Sequence, residues 1–290
     1  METPRPRVLV VALGGNALQR PEDDDSVAGD FTRTAETARH LRPLIASGEW
    51  RVVVTHGNGP QVGNHLLRSE LGHVHGDTPL LPLDVCVADT QGGMGYMIQQ
   101  CLANELASAD VPAVVTSLVT QVLVDGDDPA FETPSKPVGE TVPPDRVAVL
   151  EERGWTLVED RRRAGWRRVV ASPDPVESVE AEAVRTLVDA GVTVVAGGGG
   201  GVPVVQRADG SLEGVAAVVD KDLASALLAA DLRAAGLVIL TDVAQVALGF
   251  GTPEEKPVDR MSVRDARRYL EAGEFPAGSM GPKVEAICRF

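Results

Sequence analysis

The chain has 290 residues, a formal net charge of −15 and a pI near 4.8. That balance excludes the clustered basic face that a nucleic-acid backbone demands. An anionic substrate would need a locally positive site inside a negative molecule. Aromatics make up only 3%, so the core must rest on Val, Leu, Ala and Ile, in a chain long enough for one large α/β domain.

In chain order, the N-terminal Met-Glu-Thr-Pro-Arg-Pro lacks the shape of a signal peptide. No apolar run approaches the ~18 residues of a membrane span. Residues 8–13 form a β-branched run that leads into Gly14-Gly15-Asn16, and residues 34–47 have the pattern of a helix. Residues 52–55 repeat the first device, leading into His56-Gly57-Asn58-Gly59-Pro60. A helix is predicted over 85–109 and a strand over 113–118. Gly92-Gly93-Met94-Gly95 weakens that helix and implies close packing against another helix or a ligand, a dimer seam being one version.

The stretch 125–175 differs. It is rich in Pro, Asp, Glu and Arg, with Glu159-Asp160 and three arginines at 161–163 before Gly165-Trp166-Arg167-Arg168-Val169-Val170. It reads as a small, partly hairpin excursion inserted into the α/β domain, with a solvated surface loop as the other reading. Beyond it come a helix over 179–190, a strand over 192–196 ending in five glycines at 197–201, a helix over 222–234, and a strand over 237–240 before Thr241-Asp242. Strands alternating with helices imply a parallel sheet covered on both faces. Ligands in such sheets sit beyond the carboxyl ends of the strands, where all the special turns fall.

Successive amides in glycine-rich turns can form a nest for anions, although a tight turn also uses glycine for packing alone. No P-loop pattern G-x-x-x-x-G-K-[ST] is present, the five glycines fit a dinucleotide fingerprint poorly, and no H-R-D catalytic loop occurs. There are four lysines, Lys136, Lys221, Lys256 and Lys283, in a chain whose preferred cation is arginine. Lys136, Lys221 and Lys283 each lie beside Pro, Gly or Asp, which suggests retained point charges; the plainer reading is solvation. Asp222 opens a helix, where a carboxylate suits the positive end, and it could also hold Lys221 and Lys283. His56, His65, His73 and His75 lack metal-ligand spacing and are read as loop and helix-surface histidines. Cys86, Cys101 and Cys288 are too scattered for a disulfide framework, which favours a reducing cytoplasm.

Taken together the motifs resemble the carbamate kinases of the amino-acid kinase family from about Val8 onward. The Gly14-Gly15-Asn16 turn marks the wider family. Pro134-Ser135-Lys136-Pro137-Val138-Gly139 and Gly165-Trp166-Arg167-Arg168-Val169-Val170 point to carbamate kinases, joined by Val219-Asp220-Lys221-Asp222 and Gly278-Ser279-Met280-Gly281-Pro282-Lys283. The resemblance implies a three-layer α/β sandwich around a mostly parallel sheet, with residues 125–175 as an inserted lid. It implies that Lys136 reaches from the lid to carbamoyl phosphate, and that Lys221 and Lys283 flank the transferred phosphoryl group with Asp222 orienting them.

By the same likeness Gly14, Gly15, Asn16, Gly57, Asn58 and Gly59 line the acceptor side. Gly198, Gly199 and Gly200 bind that anion or the nucleotide phosphates. Thr241, Asp242, Val243, Thr252, Pro253 and Met280 hold the nucleotide. ATP or ADP, carbamate or carbamoyl phosphate, Mg²⁺ carried on nucleotide phosphates, and a homodimer are the implied partners. Two departures stand out: Gln245-Val246-Ala247 replace a tyrosine-like residue after Thr241-Asp242-Val243, and relatives continue into closing strands where this sequence ends at Phe290. A family kinase for acetylglutamate or fosfomycin, or a catalytically silent sensor, are the alternatives.

Overall fold

The strand Arg7–Leu13 (β1) sends Leu9, Val11 and Leu13 into one apolar cluster and Val10 into another. That alternation marks a strand covered on both faces. The computed structural model describes residues 6–18, 26–160, 164–276 and 278–290, without the side chains of Asn16 and Glu140. Sequence readings that fall on residues 1–5, on the arginines at 161–163 and on the Asn16 side chain lie outside it.

After β1 come α1 (Val27–Ala46), β2 (Trp50–His56), α2 (Gly59–Gly76), α3 (Leu83–Ser108), β3 (Val115–Ser117) and β4 (Gln121–Val124). The stretch beyond holds β5 (Lys136–Val142), α4 (Val147–Glu152), β6 (Leu157–Asp160) and β7 (Gly165–Val170). Then follow β8 (Pro175–Ser178), α5 (Ala181–Asp189), β9 (Thr193–Val195), β10 (Val202–Gln206), β11 (Leu212–Gly214) and α6 (Lys221–Asp231). The chain closes with β12 (Gly236–Ile239), β13 (Val246–Leu248), β14 (Lys256–Val258), α7 (Val263–Glu271) and α8 (Met280–Arg289).

Strands β12-β1-β2-β9-β3 form an all-parallel sheet in that order. Ala38 and Leu41 of α1, with Met94, Ile98 and Leu102 of α3, cover one face. Val184 and Val188 of α5, with Leu228 of α6 and Leu232 at its C-cap, cover the other. The result is the expected three layers. A second sheet, β11-β10-β4-β8, extends the molecule, and β13 with β14 makes a separate hairpin. Among the described residues no helix is long and apolar enough to cross a membrane.

The excursion builds a three-stranded antiparallel sheet, β5-β7-β6, seated on α2. Trp155 Nε1 and Arg168 donate to Glu70 of α2 at 2.9 and 3.1 Å. The Arg168 guanidinium also stacks on Trp155, 4.3 Å from the ring centroid.

Helices α1, α2 and α3 depart from the sequence reading. Helix α1 begins seven residues before position 34, because Ser26 accepts from the Gly29 amide and caps it. Helix α2 was not expected, since Gly59, Gly63, Gly72 and Gly76 lower helix propensity. It forms because Pro60 suits the first turn and because Val62 and Leu66 are buried. Helix α3 runs unbroken through Gly92–Gly95. Gly95 lies against Ser117 of β3, a strand rather than a helix or ligand, and Gly92 and Gly93 are exposed.

Gly63 marks the closest approach of α2 to β5: a Cβ there would fall 1.9 Å from Gly139 Cα. Gly63→Ala therefore has to push two backbones apart, and overpacking of this kind costs roughly 1–3 kcal/mol. Thermal unfolding of that variant is expected at a clearly lower midpoint; an unchanged midpoint would contradict the contact.

Candidate active site

Neighbouring parallel strands deliver their turns to one edge. With Ala12 of β1 in register with Ile239 of β12, Gly14-Gly15 and Thr241-Asp242-Val243 emerge side by side. They open onto a cleft of about 980 Å³. Thr37 and His40 of α1 form one wall, Gln245, Ala247 and Phe250 another, and Ser279, Met280 and Lys283 close it with Lys221. Gly14, Gly15, Lys221, Thr241, Asp242, Val243, Met280 and Lys283 are thus brought together as expected from the sequence.

At the inner end of the cleft lies the start of α6. Asp220 is its N-cap, accepting from the Asp222 amide at 2.9 Å and the Leu223 amide at 3.5 Å. Capping therefore belongs to Asp220, not to Asp222 as the sequence suggested, and Asp222 is free for another task. Its carboxylate takes Lys221 Nζ on one oxygen and Lys283 Nζ on the other, the second at 2.9 Å. Asp222 is only 3% exposed. Removing a carboxylate from water costs several kcal/mol unless it is paired and hydrogen-bonded, so the two ammonium groups are what make its burial tolerable. Burial pushes the Lys221 pKa down; the Lys283 charge adds to this, and Asp222 opposes it.

Lys136 does not line the cleft. From β5 it donates to Asp220 Oδ2 at 2.5 Å. Burial would raise the Asp220 pKa, but Lys136, the Asp222 amide and Lys221 outweigh it, and the carboxyl sits below its usual range. Around the head of α6, three ammonium groups face two carboxylates. A surplus positive charge thus sits inside an acidic chain.

The remaining glycine turns support this arrangement from beneath. Gly57 lies against the Lys221 stem, where a Cβ would come 3.2 Å from Cδ. Gly59 begins α2. Asn58 is buried, donating to Thr90 Oγ1 at 2.8 Å, and Thr90 donates on to the Val87 carbonyl. In the 197–201 loop the turn needs left-handed backbone at Gly197, Gly199, Gly200 and Gly201. The side-chain directions of Gly198, Gly199 and Gly200 are already filled by His56, Asn58 and the Val219 carbonyl. All three glycines are buried and do not reach the cleft wall. Gln91 clamps the Thr120 backbone, and Thr120 Oγ1 accepts from Gly197 N at 2.9 Å, fixing the loop to α3.

Thr252 and Pro253 also stay outside the cleft, in the exposed turn between β13 and β14, where Thr252 Oγ1 donates to the Gly249 carbonyl. Phe250, two residues earlier, takes the cleft position instead. Sequence reasoning missed Asp220, Thr37, His40, Phe250 and His56. An aspartate directly before a helix is a cap signal that could have found Asp220, and Phe250 is one of only five phenylalanines.

His56 corrects the surface-histidine reading: it is 1% exposed at the end of β2, with Nδ1–H donating to the Gly57 carbonyl at 3.1 Å. His65, His73 and His75 lie on α2 and are partly or fully exposed. Burial lowers the His56 pKa to about 4, partly offset by the Gly57 hydrogen bond. The unfolded chain, near 6.5, binds the proton that the folded chain refuses. Stability must therefore fall as pH drops from about 6.5 toward 4, by about 3 kcal/mol from this group. His56→Gln is expected to flatten that part of the curve in urea unfolding between pH 4 and 6.5. Identical pH dependence in the two proteins would contradict it.

A family model described as the amino acid kinase family matches residues 7–290, and the chain belongs to that family. More narrowly, it is similar to the carbamate kinase of Pyrococcus furiosus, 48% identical over 97% of this chain and 89% of the relative. The carbamate kinase of Thermococcus kodakarensis is 46% identical over the same shares. The structure of Giardia lamblia carbamate kinase bound to AMP-PNP superposes with a TM-score of 0.87 at 38% identity, covering 98% of this chain and 89% of that one.

Proposed function

We propose that the protein is a carbamate kinase, which transfers the γ-phosphoryl group of ATP to carbamate and runs in reverse from carbamoyl phosphate and ADP. The observation that carries this reading is the single buried carboxylate of Asp222 holding Lys221 and Lys283 at the inner end of the cleft. Similarity to carbamate kinases over nearly the whole chain supports the choice of acceptor.

The chemistry suits such a site. A carbamate oxygen is already anionic, so its bond to phosphorus forms without a general base while the bond from phosphorus to the leaving ADP oxygen breaks. The barrier lies in bringing two anions together and in the charge spread over the phosphoryl oxygens. Lys221 and Lys283 neutralise that charge, and Lys136 meets the carbamoyl phosphate from the β5-β7-β6 sheet, which serves as a lid. Gly14, Gly15 and Asn16 face the transferred group. Gly57, Asn58, Gly59 and the buried Gly198–Gly200 loop hold the floor beneath it. Thr241, Asp242, Val243, Met280 and Phe250 take the nucleoside, with Thr252 and Pro253 shaping the turn that presents Phe250. Both Asp222 oxygens are occupied by lysines, so Mg²⁺ enters this reading on the nucleotide phosphates. A homodimer, a cytoplasmic setting and an ATP-forming role in arginine breakdown complete it.

Mixing the protein with ADP, Mg²⁺ and carbamoyl phosphate should yield ATP. Lys221→Ala and Lys283→Ala should each cut kcat by about 100-fold or more, the scale of losing one preorganised donor, with unfolding still cooperative. Near-normal rates in both variants, or a larger acceptor outperforming carbamate, would overturn the assignment.

A further inference from the structure

The carboxylate of Asp220 does two things at once. Oδ1 accepts from the Asp222 and Leu223 amides and so fixes the start of α6. Oδ2 takes Lys136 Nζ at 2.5 Å, across 84 residues of sequence. Side-chain exposure is 15% for Asp220 and 30% for Lys136, so the pair is shielded from water but not sealed. Charge-assisted hydrogen bonds in partly dry surroundings are among the strong ones. Among the described ion pairs only this one ties the β5-β7-β6 sheet to α6; the Arg168–Glu70 pair anchors the sheet to α2, and just beyond β7 the Ala171 carbonyl accepts from the Val218 amide at 3.0 Å.

We propose that Asp220 is a positioning residue that latches Lys136, and with it the β5-β7-β6 sheet, onto the head of the helix carrying Lys221 and Asp222. Through one carboxylate, the sheet that approaches the acceptor and the lysine that faces the phosphoryl group share a common origin. An arriving anion then meets Lys136 already placed beside Lys221, and the entropy of ordering a long side chain is spent on folding, not on binding. The proposal rests on the carbamate kinase reading for its substrate, but the latch itself is a statement about two residues.

Asp220→Asn keeps a cap acceptor and removes the charge; Asp220→Ser, also a favoured cap, removes the reach to Lys136. Either variant should raise KM for carbamoyl phosphate about tenfold, the scale of one hydrogen bond to a charged group, while KM for ADP stays near that of the unmodified protein. Lys136→Ala, which also removes the ammonium group that meets carbamoyl phosphate, should raise that KM at least as much, and the double variant should be no worse than Lys136→Ala alone, because Asp220 acts through Lys136. Hydrogen exchange supplies a readout independent of turnover: β5 amides should exchange faster in Asp220→Asn and in Lys136→Ala, with β1 and β2 unchanged. Additive effects in the double variant, or β5 exchange equal to that of the unmodified protein, would overturn the latch. Absence of ATP formation by the unmodified protein would overturn the carbamate kinase reading instead, and the exchange comparison would still decide for or against the latch.

Discussion

The site depends on one carboxylate shared by two ammonium groups. Asp222 is buried and could not remain charged there alone. Lys221 and Lys283 would repel each other without it, as the downward push of Lys283 on the Lys221 pKa indicates. Each charge makes the others tolerable. What remains in this cluster is one ammonium charge beyond the carboxylate that holds it, in a chain whose formal net charge is −15.

That triad and the neighbouring Lys136–Asp220 pair draw on distant parts of the chain. Lys283 comes from α8, 61 residues beyond its partner, and Lys136 from β5, 84 residues before Asp220. Such separations require a rigid frame. The all-parallel sheet supplies it by presenting the ends of β1, β2, β9 and β12 on one edge. The buried loop at 197–201 and Asn58 lock together under α3, so the floor beneath the lysines has little freedom to move. Function at the edge is supported by packing that never touches the cleft.

Much of this was visible in the residues alone. The β-branched runs, three ending in glycine turns and one in Thr241-Asp242, located four of the five strands in the parallel sheet and the edge where the site would form; the remaining strand, β3, was legible as an apolar run. The scarcity of lysine singled out Lys136, Lys221 and Lys283 before any contact was known. Other features were illegible for physical reasons. Four glycines disguised α2, whose stability comes from burial of Val62 and Leu66 rather than propensity. Helix α7 also went unread, although Ser262 and Asp265 form a capping pair at its start. Gly198–Gly200 stood out as a glycine run, but the packing that demands glycine there did not: His56, Asn58 and the Val219 carbonyl fill the directions a side chain would take, and only the tertiary fold brings them together. Phe250 reaches the cleft only because the β13–β14 turn folds back, a placement that local pattern does not encode.

The most direct measurement is the turnover of Asp222→Asn, which keeps the size of the side chain and removes its charge. If the shared carboxylate organises the site, kcat for ATP formation should fall by about 100-fold or more, while the protein still unfolds cooperatively and retains its parallel sheet. A variant that turned over carbamoyl phosphate at close to the unmodified rate would contradict the account at its base.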